Sequence, residues 1–162
     1  MSSKPVASFP VAVTMVRKLI RRSGWAMPSW EATGVVTGEQ FAADGVKREL
    51  VREEGDLQHF LFRGLRVDFY RDAAEVYWFN LVAEQPSLFV VCLKDPNEEL
   101  TPVRVTADSS EAQAAVETNG AAFAVPIPPV IHAELERVVL EHYKPEPPRK
   151  RKQHEWRNEG EG

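Results

Sequence analysis

The sequence predicts an α+β fold: a curved antiparallel sheet of five to seven strands, packed with a C-terminal amphipathic helix and one short helix. Three observations predict it. Short apolar segments with strand-like patterns occupy the first two-thirds of the chain, separated by turn residues. One segment near the C-terminal end instead repeats its apolar residues at helical spacing. The chain has 162 residues, 43% apolar and 27% charged, which is typical of one globular domain.

The first predicted strand covers residues 11–16, which are apolar or β-branched throughout. Residues 17–29 follow as a basic connector that contains Gly24 and Pro28, both of which disfavour regular structure. Residues 30–37 form the second predicted strand.

The centre of the chain gives the clearest strand pattern. Residues 38–58 are polar and charged, with a short helical turn predicted at 49–54. In 59–70 apolar and polar residues alternate over the second half, which predicts a strand with one solvated face. Residues 75–82 are apolar on both faces and predict a central strand, and 88–93 are continuously apolar. Short turns join these three segments, so we expect an antiparallel meander.

The last third of the chain predicts one more strand, at 102–106, and two helices. Asp108 and Glu111 have the spacing of a capping box, which predicts a short helix over 111–117. That helix should end near Gly120, since glycine suits the left-handed C-terminal position. The amphipathic helix begins at Pro129 and extends to about residue 143. Its predicted apolar stripe comprises Ile131, Leu135, Val138, Val139 and His142.

Charge is divided unevenly along the chain, although the net charge is only -4. Residues 1–30 carry five bases and no acid, whereas 31–143 carry 9 bases and 20 acids. An acidic body disfavours nonspecific DNA binding, because phosphates are repelled. We expect a flexible N-terminal lead at 1–10, a single globular domain at 11–143 and a disordered, Pro-rich, basic tail at 144–162.

Several classes of protein are excluded or disfavoured. Cys92 is the single cysteine, so an intramolecular disulfide framework and a zinc site built on several thiolates are excluded. Cys92 lies in an apolar segment, which predicts a buried thiol rather than a nucleophile. No apolar run is long enough to span a membrane, and the N-terminal segment lacks the order of an export signal. We expect a cytoplasmic protein without a membrane partner.

No motif nominates a catalytic residue, a cofactor site or a metal site. Walker, GxGxxG, GxSxG and HExxH patterns are absent from the sequence. His132 and Glu136 share a predicted helix face, but no second cluster completes a metal site. We therefore predict that the protein is not an enzyme and has no cofactor. A small enzyme is the remaining alternative, and it would need polar groups converging in a pocket.

The candidate binding residues are mostly basic or aromatic side chains of the connector, of one predicted turn and of the tail. They are Arg17, Lys18, Arg21, Arg22, Trp25, Trp30, Arg71, Asp72, Arg149, Lys150, Arg151 and Lys152. Arginine binds carboxylates in a bidentate manner, and the prolines of the tail hold its basic run away from the body. The alternative is a nucleic-acid-binding module, with the basic ends on phosphates and Trp25 or Trp30 stacking on bases. The run 77–79 is predicted to be core.

The order and spacing of many scattered residues resemble a bacterial family, the domain-of-unknown-function 3305 family. The matching residues are Arg17, Trp25, Trp30, Glu31, Gly34, Val35, Arg71, Asp72, Tyr77, Asn80, Leu81, Pro86, Ser87, Phe89, Val90, Val105, Thr106, Glu111, Ala112, Pro126, Pro128 and the segment 142–147 with its basic run. Similar proteins tend to be encoded beside molybdenum-dependent formate dehydrogenases. The resemblance implies an accessory role in assembling or coupling that enzyme. Together with the absent motifs and the basic candidate residues, we expect a non-catalytic accessory or assembly protein that binds an acidic surface of a protein partner, such as a formate dehydrogenase subunit or its maturation factor.

Overall fold

A computed structural model describes residues 4–145 of the chain. Within this range, seven strands form one sheet: β1 (Ala7–Arg22), β2 (Trp25–Thr37), β3 (Lys47–Glu54), β4 (Leu57–Phe69), β5 (Ser87–Lys94), β6 (Leu100–Thr106) and β7 (Ala121–Pro126). The same residues include three α-helices: α1 (Ala74–Leu81), α2 (Ser109–Glu117) and α3 (Pro129–His142). The predicted α+β class, with a C-terminal helix, is confirmed.

The strand order of the sheet is β2-β1-β4-β6-β5-β7, and β3 also pairs with β4. All pairings are antiparallel except that of β4 with β6, which is a single parallel bridge between Val67 and Val105. The sheet is so curved that its end strands β2 and β7 approach one another and nearly close it. β4 therefore holds β3 along its first half and β6 near its end.

The core lies between the curved sheet and α3. This helix buries Ile131, Leu135, Val138 and Val139, four of the five residues of the predicted stripe, and the fifth, His142, is partly buried. They form one hydrophobic cluster with side chains from every strand except β3, and with Tyr77 of α1. Covering the inner face of the sheet with a helix removes both apolar surfaces from water, and this removal is the main driving force for folding.

The central strand predicted over 75–82 is wrong, because this segment forms helix α1. A short run with apolar residues at both odd and even positions is compatible with a buried strand, and equally with a short helix that is covered on one side. Tyr77 is buried and its hydroxyl accepts a 2.9 Å hydrogen bond from the Tyr70 amide, whereas Trp78 and Phe79 are exposed. The predicted meander is therefore wrong too, and only Tyr77 of the run 77–79 is core.

Two further predictions in the first half of the chain are wrong. The helical turn predicted at 49–54 is part of strand β3, and the connector predicted at 17–29 is a hairpin formed by β1 and β2. In both cases backbone pairing with a neighbouring strand decides the structure, and such pairing cannot be predicted from local composition. β1 also begins at Ala7, inside the predicted lead, because Ala7 pairs with Phe69 of β4.

Helix α2 is capped by Asp108, but the predicted capping box, in which Asp108 accepts from the Glu111 amide and Glu111 reaches back, does not form. The Asp108 carboxylate accepts a hydrogen bond from the Ser110 amide, and Glu111 instead pairs with Arg104 at 2.7 Å. At the other end of the helix, Asn119 takes the left-handed conformation that was expected of Gly120. The Gly120 amide then donates to the Ala115 carbonyl at 2.8 Å, so the helix still ends where the sequence predicts.

Candidate docking hairpin

The hairpin of β1 and β2 extends beyond the rest of the sheet. Ser23 and Gly24 form its turn with φ angles of 48° and 81°, as a two-residue type I′ turn requires. The pairing of β1 with β4 ends at Lys18, and the Leu19 amide makes a last bond to the Asp56 carbonyl. Four residues of β1 continue past this point, or about 13 Å of strand. We call residues 18–29 the hairpin tip.

One face of the hairpin tip combines apolar and cationic side chains. Cross-strand pairing places three pairs on this face: Lys18 with Ser29, Ile20 with Met27, and Arg22 with Trp25. Trp25 is 59% exposed, and Ile20 and Met27 are about 40% exposed. Lys18 and Arg22 form no ion pair with any residue in 4–145. This face therefore offers an exposed tryptophan opposite Arg22, with Lys18 at the other end of the face, and neither cation has an ion-pair partner in that range.

The opposite face of the hairpin tip is smaller and less charged. Arg21 lies opposite Ala26 there, and Leu19 lies opposite Pro28. Arg21 approaches Asp56 at 3.4 Å, but both side chains are more than half exposed. An exposed pair of this kind contributes little, so Arg21 is able to exchange this contact for another anion.

Arg17 and Trp30 lie at the base of the hairpin and already bind a carboxylate of the protein itself. The Arg17 guanidinium donates to both carboxylate oxygens of Glu99, each at 2.8 Å, and Trp30 Nε1 donates to Glu99 at 2.9 Å. Gln58 completes the arrangement by accepting a 3.0 Å bond from Arg17. Glu99 precedes β6, so this carboxylate clamp ties the turn between β5 and β6 to the hairpin base.

The clamp shifts the acidity of its members. The hydrogen bond from Arg17 holds the pKa of Glu99 below its ordinary value, and the same bond raises the pKa of Arg17. Trp30 is only 7% exposed, and its ring packs 5.4 Å from the ring of Phe60. Arg17 and Trp30 are thus structural members of the fold in this conformation, and Trp30 has no open face on which a base would stack.

A groove of about 340 Å³ opens beside the clamp. Arg17 lines it together with Gln58 and Glu99, to both of which it donates. The Arg48 guanidinium, also in the lining, lies 5.1 Å from the centre of the Phe60 ring. Among the residues that the structure describes, this lining contains no serine, cysteine, histidine or lysine. Glu99 is the one carboxylate among these lining residues, and Arg17 and Trp30 hold it by hydrogen bonds.

The structure separates the other predicted binding residues from the hairpin tip. Arg71 and Asp72 are exposed in a 3-10 turn after β4, whereas the tip adjoins the first residue of that strand, Leu57. The two positions are therefore at opposite ends of β4. The predicted basic run 149–152 lies outside the described residues. Of the predicted set, the tip unites Lys18, Arg21, Arg22 and Trp25.

Three residues of this region were missed by the sequence analysis. Ile20 and Met27 share a face with the predicted cations only because of the hairpin register. The Ser-Gly pair at 23–24 is typical of a turn, and it was the one sequence feature that could have predicted this hairpin. Glu99 is 82 positions from Arg17. It belongs to one of several short acidic runs, and nothing in the sequence distinguishes this run from the others. No local pattern would have identified it.

The residues considered for catalysis and metal binding occupy ordinary structural positions. Cys92 is buried, as predicted, and burial raises the pKa of its thiol to about 12. His132 and Glu136 approach each other at 3.3 Å on α3, and no cluster of three potential metal ligands exists within residues 4–145. Over the same residues, no helix is long and apolar enough to cross a membrane.

A family model described as a protein of unknown function, DUF3305, matches residues 10–152, which is most of the chain. The chain belongs to the DUF3305 family. The resemblance inferred from the sequence is thereby confirmed. Comparison with curated proteins and with solved structures gave no match. The DUF3305 match includes both the hairpin tip and the clamp, and it ends with the basic run at Lys152.

Proposed function

We propose that this DUF3305 protein is a non-catalytic, cytoplasmic accessory protein that binds an acidic surface of a partner protein through the hairpin tip. The observation that carries the proposal is the face on which Trp25 lies opposite Arg22, with Ile20, Met27 and Lys18 farther along it. Tryptophan, arginine and methionine are enriched at protein interfaces, and tryptophan and arginine among the residues that contribute most to binding. The single cysteine is consistent with a reducing compartment.

The charge distribution supports an acidic partner. The cations of the tip project past an otherwise acidic body, so an acidic surface is attracted at the tip and repelled elsewhere. Lys18 and Arg22 give up no ion pair within the described residues on binding. The apolar contacts of Ile20, Trp25 and Met27 then add a term that salt does not screen.

The partner that we propose is a subunit of a molybdenum-dependent formate dehydrogenase, or its maturation factor. This part of the proposal is supported by what the family resemblance implies about neighbouring genes. We expect the basic run 149–152 of the tail to strengthen the same interaction, because it adds four cations to those of the tip.

The test is affinity purification of the full chain from its native cell, with quantitative mass spectrometry of formate dehydrogenase subunits and maturation factors. The Trp25→Ala variant and the double variant Lys18→Glu, Arg22→Glu are each expected to reduce capture of that component about tenfold or more. Deletion of residues 144–162 is expected to weaken capture and to flatten its dependence on salt.

Matched control variants separate the hairpin tip from general surface effects. Phe79→Ala removes an aromatic side chain that is 62% exposed on α1, and the double variant Lys94→Glu, Arg104→Glu makes the same change in net charge on β5 and β6. Both controls are expected to capture the partner at the wild-type level. Equal capture by the tip variants, or no formate dehydrogenase component captured by the wild type, contradicts the proposal.

Nucleic-acid binding is the second candidate function, and the exposure of Trp25 beside Arg22 is the observation that favours it. An exposed aromatic ring next to an arginine is a stacking platform for single-stranded bases. A gel-shift series at low salt with single-stranded and double-stranded DNA and RNA tests it. We expect no retention, and retention that Trp25→Ala abolishes would favour this function over the first.

A further inference from the structure

Strand β3 has one neighbour in the sheet, β4, and its other edge pairs with no strand among residues 4–145. All eight of its side chains are exposed. Six of them are charged, and the remaining two, Leu50 and Val51 at the centre, are 50% and 61% exposed. An exposed edge of this length is a template for pairing with another strand.

The charges of β3 follow a self-complementary pattern. From Lys47 to Glu54 the side chains are two cations, one anion, two apolar residues, one cation and two anions. Reversing the strand therefore inverts the sign at every charged position. An antiparallel second copy in this register pairs Lys47 with Glu54, Arg48 with Glu53, Glu49 with Arg52 and Leu50 with Val51, each pair occurring twice.

A bulge in β3 brings the members of each charged pair to the same face of the sheet. The register with β4 shifts between Leu50 and Arg52, so Val51 is an extra residue. As a result, one face carries Lys47, Glu49, Arg52 and Glu54, opposite alternate residues of β4, and the other carries Arg48 and Glu53. In a regular strand these partners would lie on opposite faces, because side chains alternate strictly.

We propose that β3 pairs with β3 of a second copy of this chain, in antiparallel register about a two-fold axis between Leu50 and Val51. The six opposite-charge pairs select this partner, since charges on a sheet edge otherwise repel another strand. The contact of Glu49 with Arg63 is long, at 3.9 Å, and the side chains of Arg52 and Glu54 are at least half exposed, so both contacts contribute little and do not oppose the exchange. The interface is small, and the association is therefore weak and reversible.

The experiment uses two full-length variants with edges of a single sign. The positive edge carries Glu49→Lys, Glu53→Lys and Glu54→Lys, and the negative edge carries Lys47→Glu, Arg48→Glu and Arg52→Glu. Sedimentation velocity at low ionic strength is expected to show a dimer for the wild type, and at least about tenfold weaker self-association for each variant. An equimolar mixture of the two variants is expected to form the heterodimer.

The control variant makes the same change in net charge as the positive edge, at exposed acids of other segments: Glu39→Lys, Glu84→Lys and Glu117→Lys. It is expected to dimerise like the wild type, and about 1 M salt is expected to dissociate every dimer because charges are then strongly screened. A monomeric wild type, dimerisation of either single-sign variant at the wild-type level, or a mixture that fails to associate overturns the proposal. Far-UV circular dichroism confirms that each variant is folded.

Discussion

Individual residues of this protein take their roles from contacts that are distant in the sequence. The carboxylate of Glu99 is bonded to Arg17 and Trp30, which lie in the first two strands, and this contact fixes the base of the hairpin. The side chain of Glu99 is 36% exposed and that of Arg17 is 22% exposed. Solvent therefore screens part of the attraction, and the clamp contributes less than a fully buried pair of this geometry would.

The Glu99→Gln substitution tests the clamp through its pH dependence. Arg17 lowers the pKa of Glu99, so the stabilisation is complete above the ordinary carboxyl pKa of about 4.3 and is lost as the pH falls through the lower, folded-state value. At pH 7 we expect the variant to lose about 1 kcal/mol of unfolding free energy. Urea denaturation at pH 7 and at about pH 3 measures this, and the difference from wild type should shrink at the lower pH.

Glu98→Gln is the matched control for this measurement. Glu98 lies on the same turn and approaches Lys94 at 3.5 Å, but receives no comparable set of bonds. Its substitution should change the unfolding free energy by no more than about 0.5 kcal/mol at either pH. An equal loss for Glu98→Gln and Glu99→Gln would contradict the role of the clamp.

Gly64 of β4 is a position at which the neighbouring backbone leaves no room for a side chain. Its φ is +88°, and an added Cβ would lie 2.0 Å from the carbonyl oxygen of Gly45. We expect Gly64→Ala to cost at least about 2 kcal/mol of unfolding free energy, from both strain and backbone displacement. Gly55 has a φ of +57° with nothing within 4 Å, so Gly55→Ala should cost about 1 kcal/mol. Similar losses in thermal unfolding experiments would show that the close approach to Gly45 is unimportant.

At the scale of elements, local pattern succeeds where an element is long and periodic. The period of α3 and the alternation in β4 were readable from the sequence because a single burial direction governs each of them. The pattern failed for α1, because eight residues are too few to distinguish the period of a helix from that of a strand. It also failed for β3 and the hairpin tip, because an exposed strand has no buried face to leave a pattern.

Two leucines of α3 provide a test of the amphipathic arrangement. Leu135 is fully buried against the sheet, whereas Leu140 is 85% exposed. We expect Leu135→Ala to reduce the unfolding free energy by about 2–5 kcal/mol, because it leaves a cavity in the core. The same truncation at Leu140 should change it by no more than about 0.5 kcal/mol. Chemical denaturation of both variants measures the difference, and comparable losses would contradict the orientation of α3.

At the scale of the whole molecule, the fold class was predictable from the sequence and the strand order was not. Six strands and the C-terminal helix share one hydrophobic cluster, which joins the two ends of the nearly closed sheet. Of the candidate site, charge identified Lys18, Arg21 and Arg22, and their proximity in the sequence identified Trp25. The clamp was beyond reach, because Glu99 meets Arg17 only after β5 and β6 have been placed in the sheet.

The shared cluster predicts that the sheet and α3 unfold as one cooperative unit. Cys92 lies within this cluster, so a thiol reagent should reach it only when the whole core opens. We expect the thermal transition measured by Cys92 labelling to coincide with those measured by far-UV and near-UV circular dichroism. Labelling that precedes the loss of secondary structure would show that β5 opens independently.

The burial of Cys92 also determines how copies of this protein are able to associate. It is the sole sulfhydryl of the chain, and in the folded state no oxidant in the solvent reaches it. Two folded molecules consequently cannot join through Cys92 in a disulfide cross-link. Any assembly of folded copies is therefore held together without a disulfide, and a reducing agent will leave it unchanged.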